Sequence, residues 1–481
     1  MSKRSFFIFL FVYSVIQIVL RVVVSDSLLP DESEQIIYAK QGFAWGYGSE
    51  PPLYTWIQLI FFSFIPHKIF ALSLCKYTLL FIGYLFMFLS AKIVVRDELI
   101  ATACTCSLFF IPVIAFEAQR DLSHSVILFT MCCITLYLFL SLIEHPRTIT
   151  YALIGFVVGL GGLSKYNYAL YLAILITAWM CDLRFRKVFF NKRTLLAIII
   201  SAIIVCGHIF WIYSSLEDMN FHRKITIVEN FSSFNALART AITFFSFIGL
   251  FLVMFVAFFY KELKNIKKIF ANKFLYLYIF AMVVLVLIVL IFKIEKVKTR
   301  WYLPLYFSVP IYAFAIIKEQ VKSKKIKVFI STTISAALII CLVMFLRIYC
   351  AAITEKPKRL NLPIRDMATF FAEQKYNNYL IVAENRSIAG TLQLYLPKST
   401  VITPGIPHND LSINNRILLI WEKGEVSNVH AFLKQIDLPK RIIRLIKEKL
   451  HNEVKHFSKN YKYMEEEAHY GYATVSIPEK K

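Results

Sequence analysis

Long apolar runs decide what this chain can become. About eleven of them lie at roughly 5–24, 69–94, 99–116, 123–143, 149–163, 167–181, 195–215, 240–259, 274–292, 301–317 and 328–347, with few charges inside them. A run of about 18 or more such residues is long enough to cross the hydrocarbon core of a bilayer as a helix. Within that core only helices and closed barrels satisfy every backbone polar group. The expected fold is therefore a polytopic α-helical membrane protein with about 11 or more transmembrane helices. The runs at 149–163 and 167–181 are short and could form a re-entrant pair. The segment 51–66 is apolar but begins with Pro51 and Pro52, which suits a helix lying at the interface.

Charge placement gives the sidedness. The chain has 481 residues, 58% apolar and 18% charged, with a formal net charge of +23. Such a charge could suggest nucleic-acid binding, but the basic residues fall between hydrophobic runs, where orientation in a bilayer requires them; no nucleic-acid partner is expected. With Lys3 and Arg4 cytoplasmic, alternate loops are basic. One holds Arg184, Arg186, Lys187, Lys192 and Arg193, the next Lys261, Lys264, Lys267, Lys268 and Lys273, the third Lys318, Lys322, Lys324, Lys325 and Lys327. The segment after the first run, Asp121, Lys165, Arg300 and the C-terminal tail then all fall on the outer side. The first run is long for a signal peptide, carries Arg21 near its end and lacks a small-x-small cleavage site, so it reads as a retained anchor. The nine cysteines sit in or beside apolar runs and read as small packing residues.

From about Thr354 the composition becomes that of a soluble domain. "YLIVAENRSIAGTLQLYL" reads as strand, turn and amphipathic helix, "STVIT" and "RILLIW" as short strands, and "NVHAFLKQI" as a helix. The expected division is 1–353, a transmembrane catalytic domain with outer loops, and 354–481, a small extracytoplasmic α/β domain.

Four outer clusters carry ionisable groups: Asp31, Glu32 and Glu34; Gln119, Arg120 and Asp121 with Ser123 and His124; Ser164, Lys165, Tyr166 and Asn167; and Lys298, Arg300, Trp301 and Tyr302. Each has a plain structural reading. "PDESE" fits a helix start with acids in its first turn. Arg120 and Asp121 fit a surface pair, and Lys165 a snorkelling lysine. Lys298 and Arg300 fit lipid contacts beside belt aromatics, and a lone histidine such as His124 is more often hydrogen-bonded than metal-bound. Gly155, Gly159, Gly161 and Gly162 suit close helix packing. Taken together, the clusters point further. Acids and cations facing one external cavity, with aromatics to stack on a ring, suit sugar transfer from a lipid-linked phosphate to a hydroxyl. A carboxylate would take the hydroxyl proton, and Lys and Arg would stabilise the departing phosphate.

Four pieces, "DESEQ…WGYGSEPPLYTW", "QRDLSHSVIL", "LSKYNYALYL" and "TRWYLPLY", occur in order between Asp31 and Tyr306. In them the chain resembles bacterial GT-C glycosyltransferases of the protein O-mannosyltransferase type. The closer likeness is to the aminoarabinose and galacturonic acid transferases that modify lipid A and its core. The resemblance implies a polyprenyl-phosphate-sugar donor, inverting transfer to lipid A, core or another envelope glycan, and an active site on the periplasmic face of the bacterial inner membrane. Carried over, Asp31 matches the first-loop acid taken as base, Glu32 its neighbour, and Asp121 the second-loop acid. Lys165 and Arg300 match basic positions near the donor phosphate. Trp45, Tyr47 and Tyr54 would shape the cavity, with Arg120, His124, Tyr166, Asn167 and Trp301 around it. Where aminoarabinose transferases often read Glu-Lys-Pro-Pro, this chain has Ser49, Glu50, Pro51 and Pro52. The missing cation favours a galacturonosyltransferase-like or otherwise distinct sugar specificity.

Asp31, Glu32, Asp121 and His124 are also of divalent-ligand type. Their spacing demands no ion, so no cofactor is required by the sequence and a metal stays open. The alternative class is a transporter or lipid flippase. It would place ionisable groups at broken helices near the midplane and often shows inverted repeats; here the acids sit in outer loops and no repeat is visible.

Overall fold

The computed structural model describes residues 3–215, 231–264, 274–406, 416–423, 426–436, 438–450 and 454–477. Lys267, Lys268 and Lys273, used above for sidedness, lie outside them. The chain folds as two compact units interleaved along the sequence. The first is Met1–Gln17, Ser49–Tyr54 and Lys76–Cys341, and the second is Ile18–Gly48, Thr55–Cys75 and Leu342–Lys481.

Among the described residues, six helices are long and apolar enough to cross a membrane: Lys3–Val24 (α1), Lys68–Val95, Ser123–Glu144, Arg193–Ser214, Ser233–Phe259 and Ser323–Tyr349. A seventh span arises if the pair Glu98–Phe110 and Val113–Arg120, bent by 76°, counts as one. Pro112 lies at that break, and a π-helical turn, Val113–Glu117, follows it; both are established causes of a kink. The remaining runs become shorter helices, Thr148–Gly162, Asn167–Trp179, Leu275–Ile291 and Leu303–Ile317. The protein is thus a multi-pass membrane protein, with six or more apolar spans among its described residues.

In the first unit, small residues set the packing. A methyl group on Gly155 would lie 2.5 Å from the backbone oxygen of Ala197, and one on Gly159 would lie 2.8 Å from Ile204. Only glycine lets the Thr148–Gly162 helix lie this close to the Arg193–Ser214 helix. Elsewhere Phe255, Phe259, Phe314 and Phe329 form a cluster of edge-on and tilted rings, with contacting centroids 5.1–5.6 Å apart. Cys75, Cys104, Cys106, Cys132, Cys133 and Cys341 are buried, in keeping with a packing role.

The second unit is built on a five-stranded sheet of order β2-β1-β3-β5-β4. Here β1 is Leu380–Ala383, β2 Thr400–Ile402, β3 Arg416–Glu422, β4 Lys455–Asn460 and β5 Glu467–Ser476. The first three strands run parallel, while β5 pairs antiparallel with both β3 and β4. The helix Arg386–Tyr395 follows β1, with Asn385 as its cap, accepting from the Ile388 amide at 3.1 Å. β1 is buried along its whole length, as a parallel strand covered on both faces should be. The helices Val426–Leu433 and Lys440–Leu450 cover one face. The helix Ile364–Glu373 and the Arg386–Tyr395 helix cover the other, together with Ile37, Tyr38 and Tyr47 from the segment after the first span. The expected strands and helices of the tail are present. What the sequence did not suggest is that residues near position 40 complete the core of a sheet built after position 380.

A Gly155→Ala substitution should lower thermal stability in detergent by about 1–3 kcal/mol, the usual penalty for overpacking. Gly249→Ala, whose methyl group would meet nothing nearer than 4.0 Å, should be neutral or mildly stabilising. Melting curves of the two variants side by side check this, and equal effects would contradict the packing account.

Candidate active site

The acidic segment forms a helix, α2 (Pro30–Ala39), with Pro30 in its first turn and Asp31 and Glu32 beside it. Proline is preset for that position, and acids are favoured at the positive end of a helix. The three carboxylates have different fates. Glu32 is buried and takes two bonds from Arg21, Nε to Oε1 at 2.9 Å and Nη2 to Oε2 at 2.6 Å. Its Oε2 also accepts the Leu29 amide at 3.0 Å, one of the free donors at the helix start. Arg21 spends its remaining donors on the carbonyls of Ser25 at 2.9 Å and Ser27 at 2.8 Å. Glu34 is buried and paired with Arg386. Asp31 is half-buried, and among the described residues no hydrogen bond or ion pair holds its carboxylate. One acid in three therefore stays available for chemistry.

The turn before α2 is strapped to the rest of the second unit. Leu28 N donates to Thr391 Oγ1 at 3.0 Å, Tyr395 Oη to the Asp26 carbonyl at 3.1 Å and Tyr463 Oη to the Val24 carbonyl at 3.0 Å. The aromatics that follow α2 divide in the same way. Tyr47 is fully buried beside Tyr38, accepts the Ala44 amide at 2.9 Å and donates to the Gly42 carbonyl. It is a core residue of the second unit that fixes the 42–47 turn. Trp45 remains 46% exposed and meets Trp56 edge-on at 5.1 Å, while Trp56 Nε1 donates to the Ala44 carbonyl at 2.7 Å.

The first unit gathers three of the expected segments. The Leu53 amide donates to the Leu163 carbonyl at 3.0 Å, tying residues 49–54 to the turn that carries Ser164, Lys165 and Tyr166. Tyr54 is buried, with its ring 5.6 Å from His124. Lys165 Nζ donates to Ser125 Oγ at 3.0 Å. Burial, and after it the Glu50 carboxylate, push the Tyr166 phenol above the usual tyrosine range. Asp121 is buried at the end of the broken span, after the exposed Arg120. The next residue, Leu122, has φ +67°. A left-handed leucine is costly and is held only where its surroundings insist; here it turns the chain into the Ser123–Glu144 helix. Asn167 opens the Asn167–Trp179 helix, half-buried. Arg300 and Trp301 are half-buried on a 3-10 turn, Thr299–Trp301. That turn leads into Leu303–Tyr306, which packs on the Ser123–Glu144 and Asn167–Trp179 helices.

Two residues in the first unit had been passed over. Lys76 is buried and donates to the Arg120 carbonyl at 3.0 Å. His208 is buried, stacked 5.9 Å from Tyr166 and 5.6 Å from Trp211. Arg21 and Arg386 were missed in the second unit. A lone arginine at the end of an apolar run was a readable signal for the former, since such a charge needs a partner. Nothing local marks Arg386, whose partner lies 352 positions away. Among the described residues no group of three or more His, Cys, Asp or Glu stands together as a metal site.

Arg21→Met should cost about 3–5 kcal/mol, the penalty for leaving the buried Glu32 unpaired, and Asp31→Asn should leave melting unchanged. Thermal unfolding of both tests the division between a structural and an available acid; a large melting shift for Asp31→Asn would contradict it.

The comparisons with known proteins agree with this architecture. Residues 49–211 match the family model described as dolichyl-phosphate-mannose-protein mannosyltransferase. The chain is 30% identical over 440 residues to the lipopolysaccharide core galacturonosyltransferase RgtB of Rhizobium johnstonii, covering 86% of each. It is 27% identical over 427 residues to RgtA of the same organism, covering 85% of each. Among solved structures, ArnT from Cupriavidus metallidurans bound to undecaprenyl phosphate superposes with a TM-score of 0.62 at 12% identity, over 96% of this chain and 97% of that one. Its apo form gives 0.61. At that identity the likeness speaks for the fold alone. Both curated relatives are glycosyltransferases, so the transporter alternative is not favoured. The chain belongs to the PMT/ArnT-like GT-C family of membrane glycosyltransferases, in the company of the rhizobial core galacturonosyltransferases.

Proposed function

We propose that this glycosyltransferase moves a sugar, with galacturonic acid the favoured class, from a polyprenyl-phosphate donor to lipid A or core oligosaccharide. The reaction would run with inversion on the periplasmic face of the inner membrane. Asp31 is the base. Its carboxylate takes the proton of the acceptor hydroxyl as that oxygen bonds to the anomeric carbon. The bond from that carbon to the phosphate oxygen breaks, and its electron pair leaves with the polyprenyl phosphate. Lys165 and Arg300 stabilise the charge that grows on the phosphate, Arg300 by two hydrogen bonds at once. Asp121 is the second acid of the reaction. Arg120, His124, Tyr54, Tyr166, Asn167 and Trp301 of the first unit, and Trp45 of the second, are the proposed substrate contacts. Glu32 contributes through Arg21, by fixing the start of α2. Residues 354–481 form an appended periplasmic domain, and residues 1–353 carry the membrane spans.

The observation that carries this reading is the sorting of the three acids. Glu32 and Glu34 are consumed by arginines, which leaves Asp31 in the first turn of α2 without a salt bridge among the described residues. The lipopolysaccharide core galacturonosyltransferases and the undecaprenyl-phosphate-bound structure that this chain resembles support the acceptor and donor classes of this reading.

Mass spectrometry of lipid A and core from cells with and without the gene tests the function. One sugar-sized mass should vanish in the deletion strain and stay absent when Asp31→Asn is supplied. Restoration by Asp31→Asn would contradict the base assignment, and an unchanged deletion profile would contradict the acceptor. Lys165→Gln or Arg300→Gln should each slow turnover by about 10²-fold, the scale for losing one donor at a developing charge.

A further inference from the structure

The C-terminal body does more than cover the sheet. Arg386 stands at the first position of the helix after β1, far along the chain from α2 but in the same compact unit. Its Nη1 bonds to Glu34 Oε1, and its Nη2 donates to the Gly405 carbonyl at 3.3 Å. Asp31 and Glu34 are three residues apart on α2, which makes them neighbours on one helix face. Burial draws the Arg386 guanidinium down from its ordinary pKa, and the Asp31 carboxylate acts in the opposite direction, so the cation lies within electrostatic reach of both acids.

The surroundings leave the guanidinium little freedom. Asn385 caps the helix through the Ile388 amide at 3.1 Å, while its Nδ2 donates to Glu422 Oε1 at 2.8 Å. That anchors the start of the helix to the end of β3. Gly405 has φ +77°, and a methyl group there would lie 2.8 Å from Arg386 Nη2. At Gly390, one turn along the same helix, a methyl group would run into Ser33 of α2. The two helices are therefore in direct contact, with Ser33 lying between Asp31 and Glu34 in sequence.

We propose that Arg386 is a positioning residue for the transfer reaction: through Glu34 it fixes the face of α2 that presents Asp31, and it offsets the repulsion among the three clustered acids. This rests on the reading of Asp31 as the base. The C-terminal body thereby becomes part of the catalytic apparatus without touching substrate. A carboxylate held even about 1 Å out of place can cost about a hundredfold in rate, so the effect belongs in turnover and not in donor affinity.

The test uses the purified full-length protein, an isolated polyprenyl-phosphate-sugar donor and a core glycolipid acceptor, with melting temperature measured on every sample. Arg386→Gln should lower kcat by about tenfold to a hundredfold, with donor KM within about twofold of wild type. Arg386→Lys, which keeps the charge, should recover most of the loss. Glu34→Gln should also lower kcat, and the double variant should be no worse than Arg386→Gln, because both act through one pair. If Arg386→Gln does not fold, Gly405→Ala displaces the guanidinium while keeping its charge, and should lower kcat in the same sense. An unchanged kcat per folded molecule in the Arg386→Gln or Gly405→Ala protein, or strictly additive losses in the double variant, would overturn the inference. Asp31→Asn is run in parallel: activity in that protein overturns the base assignment, while an inactive Asp31→Asn beside a fully active Arg386→Gln overturns only the role of Arg386.

Discussion

The bond between Arg21 and Glu32 is the constraint on which the second unit depends. A guanidinium at the end of an apolar helix cannot stay unpaired in a low-dielectric setting without a large penalty. Here it meets a carboxylate 11 positions on, with both side chains under a tenth exposed. Two parallel bonds to one carboxylate fix direction as well as distance. The spare donors hold the Ser25 and Ser27 carbonyls, so a single side chain closes the whole turn from first span to α2. Such a pair adds little net stability compared with an apolar alternative. What it gives is a unique path for the chain.

That path has a consequence for the acids. Three carboxylates within four residues repel one another, and a helix start relieves this only in part. The second unit relieves the rest by giving two of them arginines, one from the first helix and one from the helix after β1. The acid without such a partner among the described residues is Asp31. The structural reading of "PDESE" as a helix start and the proposed reading of it as a catalytic segment are therefore compatible: the ion pairs of Glu32 and Glu34 hold the helix that carries Asp31.

Much of this was legible in the sequence. The apolar runs, the proline and acids that open α2, the glycines of the Thr148–Gly162 helix and the strands of the tail all follow from local rules, and the structure has them where those rules place them. The break at Pro112 was not legible, because a kink is a matter of geometry within apolar composition. Tyr47 looked like a cavity residue, since an aromatic between glycines carries no mark of whether it will be buried. Its burial depends on a sheet more than 330 residues later. Arg386 was invisible for the same reason. Long-range pairs leave no local pattern, and a single sequence contains no covariation to reveal them.

The most direct test of the central claim is an initial-rate assay of sugar transfer from polyprenyl-phosphate galacturonic acid to a defined core glycolipid, comparing wild type with Asp31→Asn and Glu32→Gln. The account predicts that Asp31→Asn binds donor as wild type does and transfers nothing above background. Glu32→Gln should lose stability, yet keep measurable turnover per folded molecule. Full turnover by Asp31→Asn, or a folded Glu32→Gln protein with none, would show that the acids have been assigned the wrong way round.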